Sequence, residues 1–147
     1  MNSADYFNAV SDAVKDAHKL NDAVQLMRSR EGLHGISYDQ TRVSGSRRVN
    51  PTDARIDFEK KIPGRIKADA KVIADALLLL YGVDGKGGLS KAMSRRHADI
   101  VYLRHVKLLS WRKIAEQAGC PTSSARYFYR KAIEYIDAQG FARVRQA

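Results

Sequence analysis

WRKIAEQAGCPTSSARYFYRKAIEYI, the segment from Trp111 to Ile136, has the residue pattern of two helices joined by a tight turn. The apolar and small residues that the first helix and the turn require are Ile114, Ala115, Ala118 and Cys120, and those of the second helix are Ala125 and Phe128. Gly119 falls where the first helix closes, a position that often requires a positive φ, which glycine adopts without a Cβ penalty. The segment is therefore predicted to be a helix-turn-helix, with Cys120 buried as a small apolar residue.

Positive charge is concentrated around this segment. Residues 90–147 contain twelve Lys and Arg against four Asp and Glu, so +8 of the net charge of +10 lies there. A purely structural pair of helices would show the same apolar pattern, but it would not require this excess. Duplex DNA attracts such an excess, because each neutralised phosphate releases condensed counterions. We therefore expect double-stranded DNA as the partner of a helix-turn-helix domain over residues 90–147.

The second helix of a DNA-binding helix-turn-helix lies in the major groove, so its outward side chains are the candidate contacts. The residues expected to read base edges are Thr122, Ser123, Arg126 and Tyr127. The residues expected to contact phosphates are Arg112, Lys113, Ser124, Arg130 and Lys131. Arg126 is the first choice for base reading, because a guanidinium binds the O6 and N7 of guanine with two hydrogen bonds. Several alternatives are left open: a phosphate contact for Arg126, helix capping for Ser124, and a core or a surface position for Tyr129 and Tyr135.

A long helix is predicted near the N-terminus. Apolar residues alternate spacings of four and three, as in a coiled-coil seam, at Tyr6, Val10, Ala13, Ala17, Leu20, Val24 and Met27. The helix should run from about Ser3, its candidate N-cap, to Arg30, within residues 1–31. The seam suits both an antiparallel pair inside the monomer and a homodimer. Because residues 1–31 contain four basic and five acidic residues, no DNA contact is expected from them.

Residues 32–50 mix glycines and polar residues without a sustained period, which predicts a flexible linker. Arg42, Arg47 and Arg48 make this linker basic, and whether it touches DNA is left open. Asn50 then has the residue type of an N-cap, and Pro51 that of a first helical residue. These two residues predict that a helical region begins here and covers residues 51–81.

This helical region should kink or break at Pro63–Gly64, because proline removes a backbone donor and clashes with the preceding turn. The apolar positions are Ala54, Phe58 and Ile62 before the proline, and Ile66, Ala70, Ile73, Leu77 and Leu80 after it. The second set should pack against the first helix. Gly82–Gly88 surrounds Lys86 with glycines, but a phosphate-binding loop needs a preceding strand and a Lys-Ser/Thr pair, so an interhelical turn is expected.

One further helix is expected from Ser90 to about Leu109 as a support for the helix-turn-helix. Its candidate buried residues are Met93, Ile100, Val101, Leu103 and Val106. His97 and His105 are expected at the surface or facing phosphate, because no two histidines have the helical spacing that places two imidazoles on one metal. No catalytic residue, metal site or cofactor is predicted.

Composition excludes several other classes. Cys120 is the only cysteine, so an internal disulfide and a cysteine-rich zinc site are excluded. The longest apolar run, Ala76–Tyr81, is far shorter than the roughly 20 residues of a membrane span. The N-terminal sequence lacks the apolar core of a signal peptide, so a cytoplasmic protein without membrane contact is expected.

A resemblance to known families gives these features a context. The residues Ile114-Ala115, Gly119, Ala125-Arg126 and Lys131-Ala132-Ile133 resemble the helix-turn-helix of bacterial sigma factor region four. The wider chain is similar to phage and prophage late transcription regulators of the ArpU/RinA type, through Tyr38-Asp39, Val43-Ser44, Asn50-Pro51-Thr52-Asp53, Arg104-His105-Val106 and Ser110-Trp111. The resemblance implies promoter DNA and host RNA polymerase as partners. This chain differs from sigma domains at Pro121, where those domains usually have a serine cap. The expected start of the second helix therefore moves to Thr122.

The sequence thus predicts an all-α protein, with N-terminal hairpin or coiled-coil-like helices followed by a C-terminal helix-turn-helix domain. The predicted segments are a heptad helix (1–31), a linker (32–50), a kinked helical region (51–81) and the DNA-binding domain (90–147). The predicted function is a sequence-specific DNA-binding transcriptional regulator of phage or prophage origin. The alternatives are a phage terminase small subunit and a module that docks on RNA polymerase or another protein without binding DNA.

Overall fold

The computed structural model describes residues 1–32 and 51–147, with side chains for residues 1–29 and 59–147. Within these ranges the protein has seven helices and no strand, which confirms the all-α prediction. The helices are α1 (Ser3–Gly32), α2 (Pro51–Tyr81), α3 (Gly88–Ala92), α4 (Arg95–His105), α5 (Trp111–Ala118), α6 (Thr122–Gln139) and α7 (Phe141–Gln146). Residues 33–50 of the predicted linker lie outside the described residues, as do the motifs quoted from residues 38–44 and the side chains of Ala54 and Phe58.

The chain divides into two compact units whose boundaries differ from those of the predicted segments. The first unit joins Met1–Val14 to Ala70–Ala147, and the second is Lys15–Asp69. The main core of the first unit consists of Phe7, Val10, Ala76, Leu79, Leu80, Leu89, Ala98, Val101, Ala132, Ile136 and Val144. The first turns of α1 therefore belong to the same core as α4, α6 and α7.

Helix α1 follows the predicted heptad pattern with two differences. Val10, Ala13 and Leu20 are buried as predicted, but Phe7 and Val14 are buried too, so the apolar face is wider than the a/d seam. The N-cap is Asn2, not Ser3. Asn2 Oδ1 accepts the Asp5 N–H at 2.8 Å, whereas Ser3 lies inside the helix and is fully buried.

The buried Ser3 connects α1 to the C-terminal half of α6. Its N–H and its hydroxyl each donate to Asp137 Oδ1 at 2.7 Å. A serine hydroxyl engaged in this contact is not free to cap its own helix, which explains why the predicted capping role is wrong. The contact fixes the start of α1 against α6.

Helix α2 begins at Pro51 as predicted and continues through Pro63 to Tyr81, so the predicted break is not present. Pro63 and Gly64 are both exposed, and the proline removes one backbone donor from a helix of 31 residues. The predicted face after the proline is wrong at its first two positions, since Ile66 and Ala70 are exposed. The apolar positions buried further along the helix are Ala76, Leu79 and Leu80, with Val72 packed against them.

The glycine-containing segment after α2 is a turn between two helices, as predicted. Gly88 has φ +62°, and a Cβ there would lie 2.5 Å from the Leu79 carbonyl oxygen, so this position requires glycine. The single helix predicted from Ser90 to Leu109 is wrong, because α3 ends at Ala92 and α4 begins at Arg95. Ser94 separates them as the N-cap of α4, with its Oγ accepting the His97 N–H at 3.3 Å.

In the second unit, parts of α1 and α2 bury Leu20 and Ile62. Arg65 pairs with Asp16. Desolvation, together with the neighbouring Asp16 carboxylate, raises the pKa of Asp69 to about 6. The two carboxyl groups therefore share a proton more readily than isolated carboxyl groups do.

Candidate nucleic-acid interface

The turn between α5 and α6 has the geometry that the glycine pattern predicts. Helix α5 is capped by Ser110, whose Oγ accepts the Lys113 N–H at 3.4 Å. It ends at Ala118, and the following Gly119, with φ 70° and ψ 35°, donates its N–H to the Ala115 carbonyl. Helix α6 begins at Thr122 after Pro121, in agreement with the expected shift of its start.

A second apolar cluster holds α4, α5 and α6 together. It consists of Ile100, Ile114, Ala115 and Ala125, with Ala118, Cys120, Phe128 and Tyr129 among the residues packed against it. The inward-facing positions are those that the sequence predicts. Cys120 packs on the cluster but is only partly buried, because it lies in the turn just after Gly119. Cys120 is therefore less buried than the sequence predicts.

The predicted base-reading residues lie in the first turns of α6. Ser123, Arg126 and Tyr127 are exposed, Tyr127 by 48%, and Thr122 is half-buried. Arg130, one turn after Arg126, is exposed as well. Residues three and four apart on a helix share a face, so Ser123, Arg126 and Arg130 form one outward-facing row.

Several of the predicted phosphate contacts, including Arg130 of this row, have carboxylate partners. Arg112 pairs with Glu116 at 3.7 Å, and the two side chains are 88% and 67% exposed. Arg130 and Lys131 both approach Glu134, at 4.0 and 3.4 Å. Exposed pairs of this kind contribute at most about 1 kcal/mol, so a phosphate can replace the carboxylate. Lys113 is exposed and Ser124 is half-buried.

Aromatic rings lie beneath the cations of this surface. The guanidinium carbons of Arg126 and Arg104 lie 5.8 and 4.9 Å from the Trp111 ring centroid. Arg130 and Lys131 lie 5.8 and 5.6 Å from the Tyr127 ring. Distances up to about 6 Å give a favourable cation–π interaction. The rings therefore hold basic side chains against the surface of α5 and α6.

Two arginines of this surface were missed by the sequence analysis. Arg104 donates to the Leu109 carbonyl at 3.2 Å in addition to its contact with Trp111. Arg96 lies 5.5 Å from the Phe128 ring centroid. Both residues belong to α4, within the basic segment 90–147. The charge excess was the available signal, but it does not show which arginines approach α6.

His105 is buried, so the prediction of a surface or phosphate-facing position is wrong. Its side chain stacks on Phe7 with ring centroids 5.4 Å apart. Nδ1 lies 2.7 Å from Ser11 Oγ, and Nε2 lies 2.7 Å from the Tyr129 hydroxyl. Burial, and secondarily the charge of Arg104, lowers the pKa of His105 to about 4, so the ring is neutral at pH 7. A neutral imidazole has one donor and one acceptor nitrogen, which suits two hydroxyl partners.

The other residues left open take partly buried positions. Tyr129 and Tyr135 both pack against the core, and burial raises the pKa of Tyr129. His97 is half-buried, with Nδ1 2.5 Å from Ser94 Oγ and its ring against Phe128. Burial lowers the pKa of His97. The expectation of a surface position for this histidine is therefore only partly met.

A cleft of about 500 Å³ lies beside α4 and the end of α5. Its polar lining includes Tyr81, Arg95, Arg96 and Asp99. Tyr81 donates its hydroxyl proton to Asp99 at 2.5 Å, and Arg95 approaches the same carboxylate at 4.0 Å. Asp99 is thus engaged by neighbouring side chains.

Comparison of the chain with protein-family models, with curated proteins and with solved structures found no match. In the part of the chain that the structure describes, no three His, Cys, Asp or Glu residues are grouped to hold a metal ion. None of the helices searched over the same residues has the length and apolar character needed to cross a membrane.

Proposed function

We propose that the protein is a sequence-specific DNA-binding transcriptional regulator in which α5 and α6 act as a helix-turn-helix. The observation that carries this proposal is the exposed row of Ser123, Arg126 and Arg130 on α6, directly after the left-handed turn at Gly119. The opposite side of α6 packs on α4 and α5 through Ala125. An α-helix with one free polar face fits the major groove of B-form DNA.

Each exposed residue has a role in this proposal. Arg126 binds the O6 and N7 edge of a guanine, because a guanidinium matches those two acceptors. Thr122 and Ser123 donate hydroxyl protons near the helix start, and Tyr127 contacts a thymine methyl or the sugar-phosphate backbone. The remaining contacts bind phosphates and set the orientation of the helix, and they are Arg112, Lys113, Ser124, Arg130 and Lys131.

The wider context of the proposal comes from the resemblance to ArpU/RinA regulators and to sigma factor region four. On the basis of this resemblance we propose a phage or prophage origin, promoter DNA and host RNA polymerase as partners, and the bacterial cytoplasm as the location. A homodimer through α1 remains part of the proposal, but Val10, Ala13 and Leu20 of its seam are buried within the chain, so the contact would use other residues of α1. A palindromic DNA site would accompany such a two-fold dimer.

Binding to random-sequence duplex DNA at several salt concentrations tests the proposal. With four Lys and Arg contacts to phosphate, the logarithm of the association constant should fall against the logarithm of salt with a slope of about −4. Failure to bind duplex at about 50 mM salt would overturn the proposal and favour docking on another protein. The mass in solution distinguishes a monomeric or dimeric regulator from the large ring expected of a terminase small subunit.

A further inference from the structure

Trp111 lies at the junction of α5 and α6, where it contacts three side chains. The ring of Tyr129 meets it edge-on, with centroids 5.3 Å apart and planes at 77°. The guanidinium carbons of Arg104 and Arg126 lie 4.9 and 5.8 Å from its centroid. Trp111 is half-buried, whereas Arg126 is exposed. The indole thus connects the packed interior of the helix pair to the leading candidate for base reading.

Tyr129 is itself held by a partly buried chain of polar side chains. Its hydroxyl lies 2.7 Å from His105 Nε2, and His105 Nδ1 lies 2.7 Å from Ser11 Oγ of α1. The His105 ring also packs between Phe7 and Tyr129, with centroid distances of 5.4 and 5.5 Å. A phenol with a hydrogen-bonded hydroxyl and a packed ring has little freedom to turn. The orientation of the Tyr129 ring against the indole is therefore fixed.

Arg126 lacks a competing partner in the part of the chain that the structure describes. No ion pair there involves Arg126, in contrast to Arg112, Arg130 and Lys131, which each approach a carboxylate. Its contact with Trp111 is the interaction that restricts its position. A long arginine side chain loses considerable rotamer freedom when it is ordered on binding. Restricting that freedom before binding lowers the loss and favours the bound state.

We propose that Trp111 is a positioning residue for Arg126, with its indole fixed by Tyr129 and the Ser11–His105 chain behind it. The proposal rests on the proposed function, because it assigns to Trp111 an effect on base discrimination. It also gives α1 a part in DNA reading that does not require α1 to touch DNA. An exposed cation–π contact corresponds to a factor of about two to five in an equilibrium constant.

The first experiment tests the contact without DNA. Trp111 is the only tryptophan in the chain, so its indole N–H gives an unambiguous NMR signal. Arg126→Ala, a change at an exposed residue, should shift this signal, and the matched control Lys131→Ala should leave it in place. An indole signal that does not move in Arg126→Ala would overturn the proposal.

The second experiment measures discrimination between a preferred duplex and one altered at the base pair that Arg126 reads. Trp111→Leu should reduce this discrimination about two- to fivefold, and Trp111→Phe, which keeps an aromatic face, should restore much of it. In the Arg126→Ala background, Trp111→Leu should have no further effect on discrimination. Should Trp111→Leu fail to fold, Arg126→Ala still gives the indole shift, and Trp111→Phe still gives a measurement of discrimination.

The two proposals fail in different ways. If the unmodified protein binds no duplex, the proposed function is overturned and the effect of Trp111 on base reading with it. If the unmodified protein discriminates between the two duplexes, but Trp111→Leu lowers discrimination equally with and without Arg126, the positioning role alone is overturned. Equal losses would indicate a general effect on the fold.

Discussion

In the proposed function, individual side chains on α6 differ in how freely they can contact DNA. Arg126 lies against the Trp111 ring, and no ion pair within the described residues involves its charge. Lys131, in contrast, is paired with Glu134 at 3.4 Å, and its side chain is 43% exposed. The sequence predicts both residues as DNA contacts from charge and helical spacing. Glu134, three residues after Lys131 and four after Arg130, was a local signal of a competing carboxylate that the sequence analysis did not use.

The separation between base reading and phosphate binding gives the first prediction. Arg126→Ala should relax the preference at one base pair, by about 1–3 kcal/mol, while leaving the preference elsewhere in the site unchanged. Competition binding with duplexes changed one base pair at a time measures this effect. An unchanged preference at every position would show that Arg126 does not read a base.

Lys131→Ala should instead weaken binding to all duplexes alike and flatten the salt slope by about one, because one phosphate contact is lost. Glu134→Gln is the matched variant with the opposite expected effect on DNA affinity, because it removes the carboxylate that pairs with Arg130 and Lys131. It should strengthen binding to random duplex at low salt. Titration of the same duplex at several salt concentrations checks both variants, and a loss confined to one sequence in Lys131→Ala would contradict the assignment.

At the scale of elements, local signals predicted more than long-range ones. The turn at Gly119, the start of α6 at Thr122 and the inward row of α5 and α6 all follow from residue type and helical period. The error over Ser90–Leu109 came from Ser94, whose capping role divides α3 from α4. A lone serine is a weak sequence signal because its hydroxyl caps a helix only when the backbone places it there.

A pair of glycine substitutions tests the geometry of the elements. Gly119→Ala should lower the free energy of unfolding by about 1–2 kcal/mol, because φ is +70° and no neighbouring atom lies within 4 Å of the added Cβ. Gly64→Ala is the control, since the surroundings of Gly64 are equally open but it lies inside α2 without a positive φ. That change should stabilise the protein by up to about 1 kcal/mol. Thermal unfolding of the two variants should shift in opposite directions, and stabilisation by Gly119→Ala would contradict the turn geometry.

At the scale of the whole molecule, the core of the first unit contains residues from both ends of the chain. The sequence could predict that α1 is amphipathic, but not that Ser3 and Ser11 would make polar contacts with α6 and His105. These contacts join residues separated by 134 and 94 positions, and no local pattern reports such pairs. The burial of His105 was missed for the same reason.

The buried His105 predicts a specific acid sensitivity. Its pKa lies near 4 in the folded protein, below the ordinary value of 6.5, so the unfolded chain binds more protons between those pH values. The stability that neutral His105 contributes is therefore complete above about pH 6.5 and is lost as the pH falls toward 4, by up to about 3 kcal/mol. The raised pKa of Asp69 acts in the opposite direction between pH 3.8 and about 6.

Replacement of His105 separates this contribution from that of Asp69. His105→Gln should be less stable than the unmodified protein at pH 7, but its free energy of unfolding should fall less between pH 7 and pH 4.5. Denaturant unfolding at the two pH values measures the difference. Equal pH dependence of both proteins would show that His105 does not titrate with a lowered pKa.

The most direct test of DNA reading by α6 is selection of bound sequences from a random duplex library by the unmodified protein and by Arg126→Ala. We expect the unmodified protein to enrich a defined site that contains a guanine whose preference disappears in the variant, with other positions retained. Enrichment of no sequence by the unmodified protein, despite recovery of bound duplex, would contradict sequence-specific reading by α6.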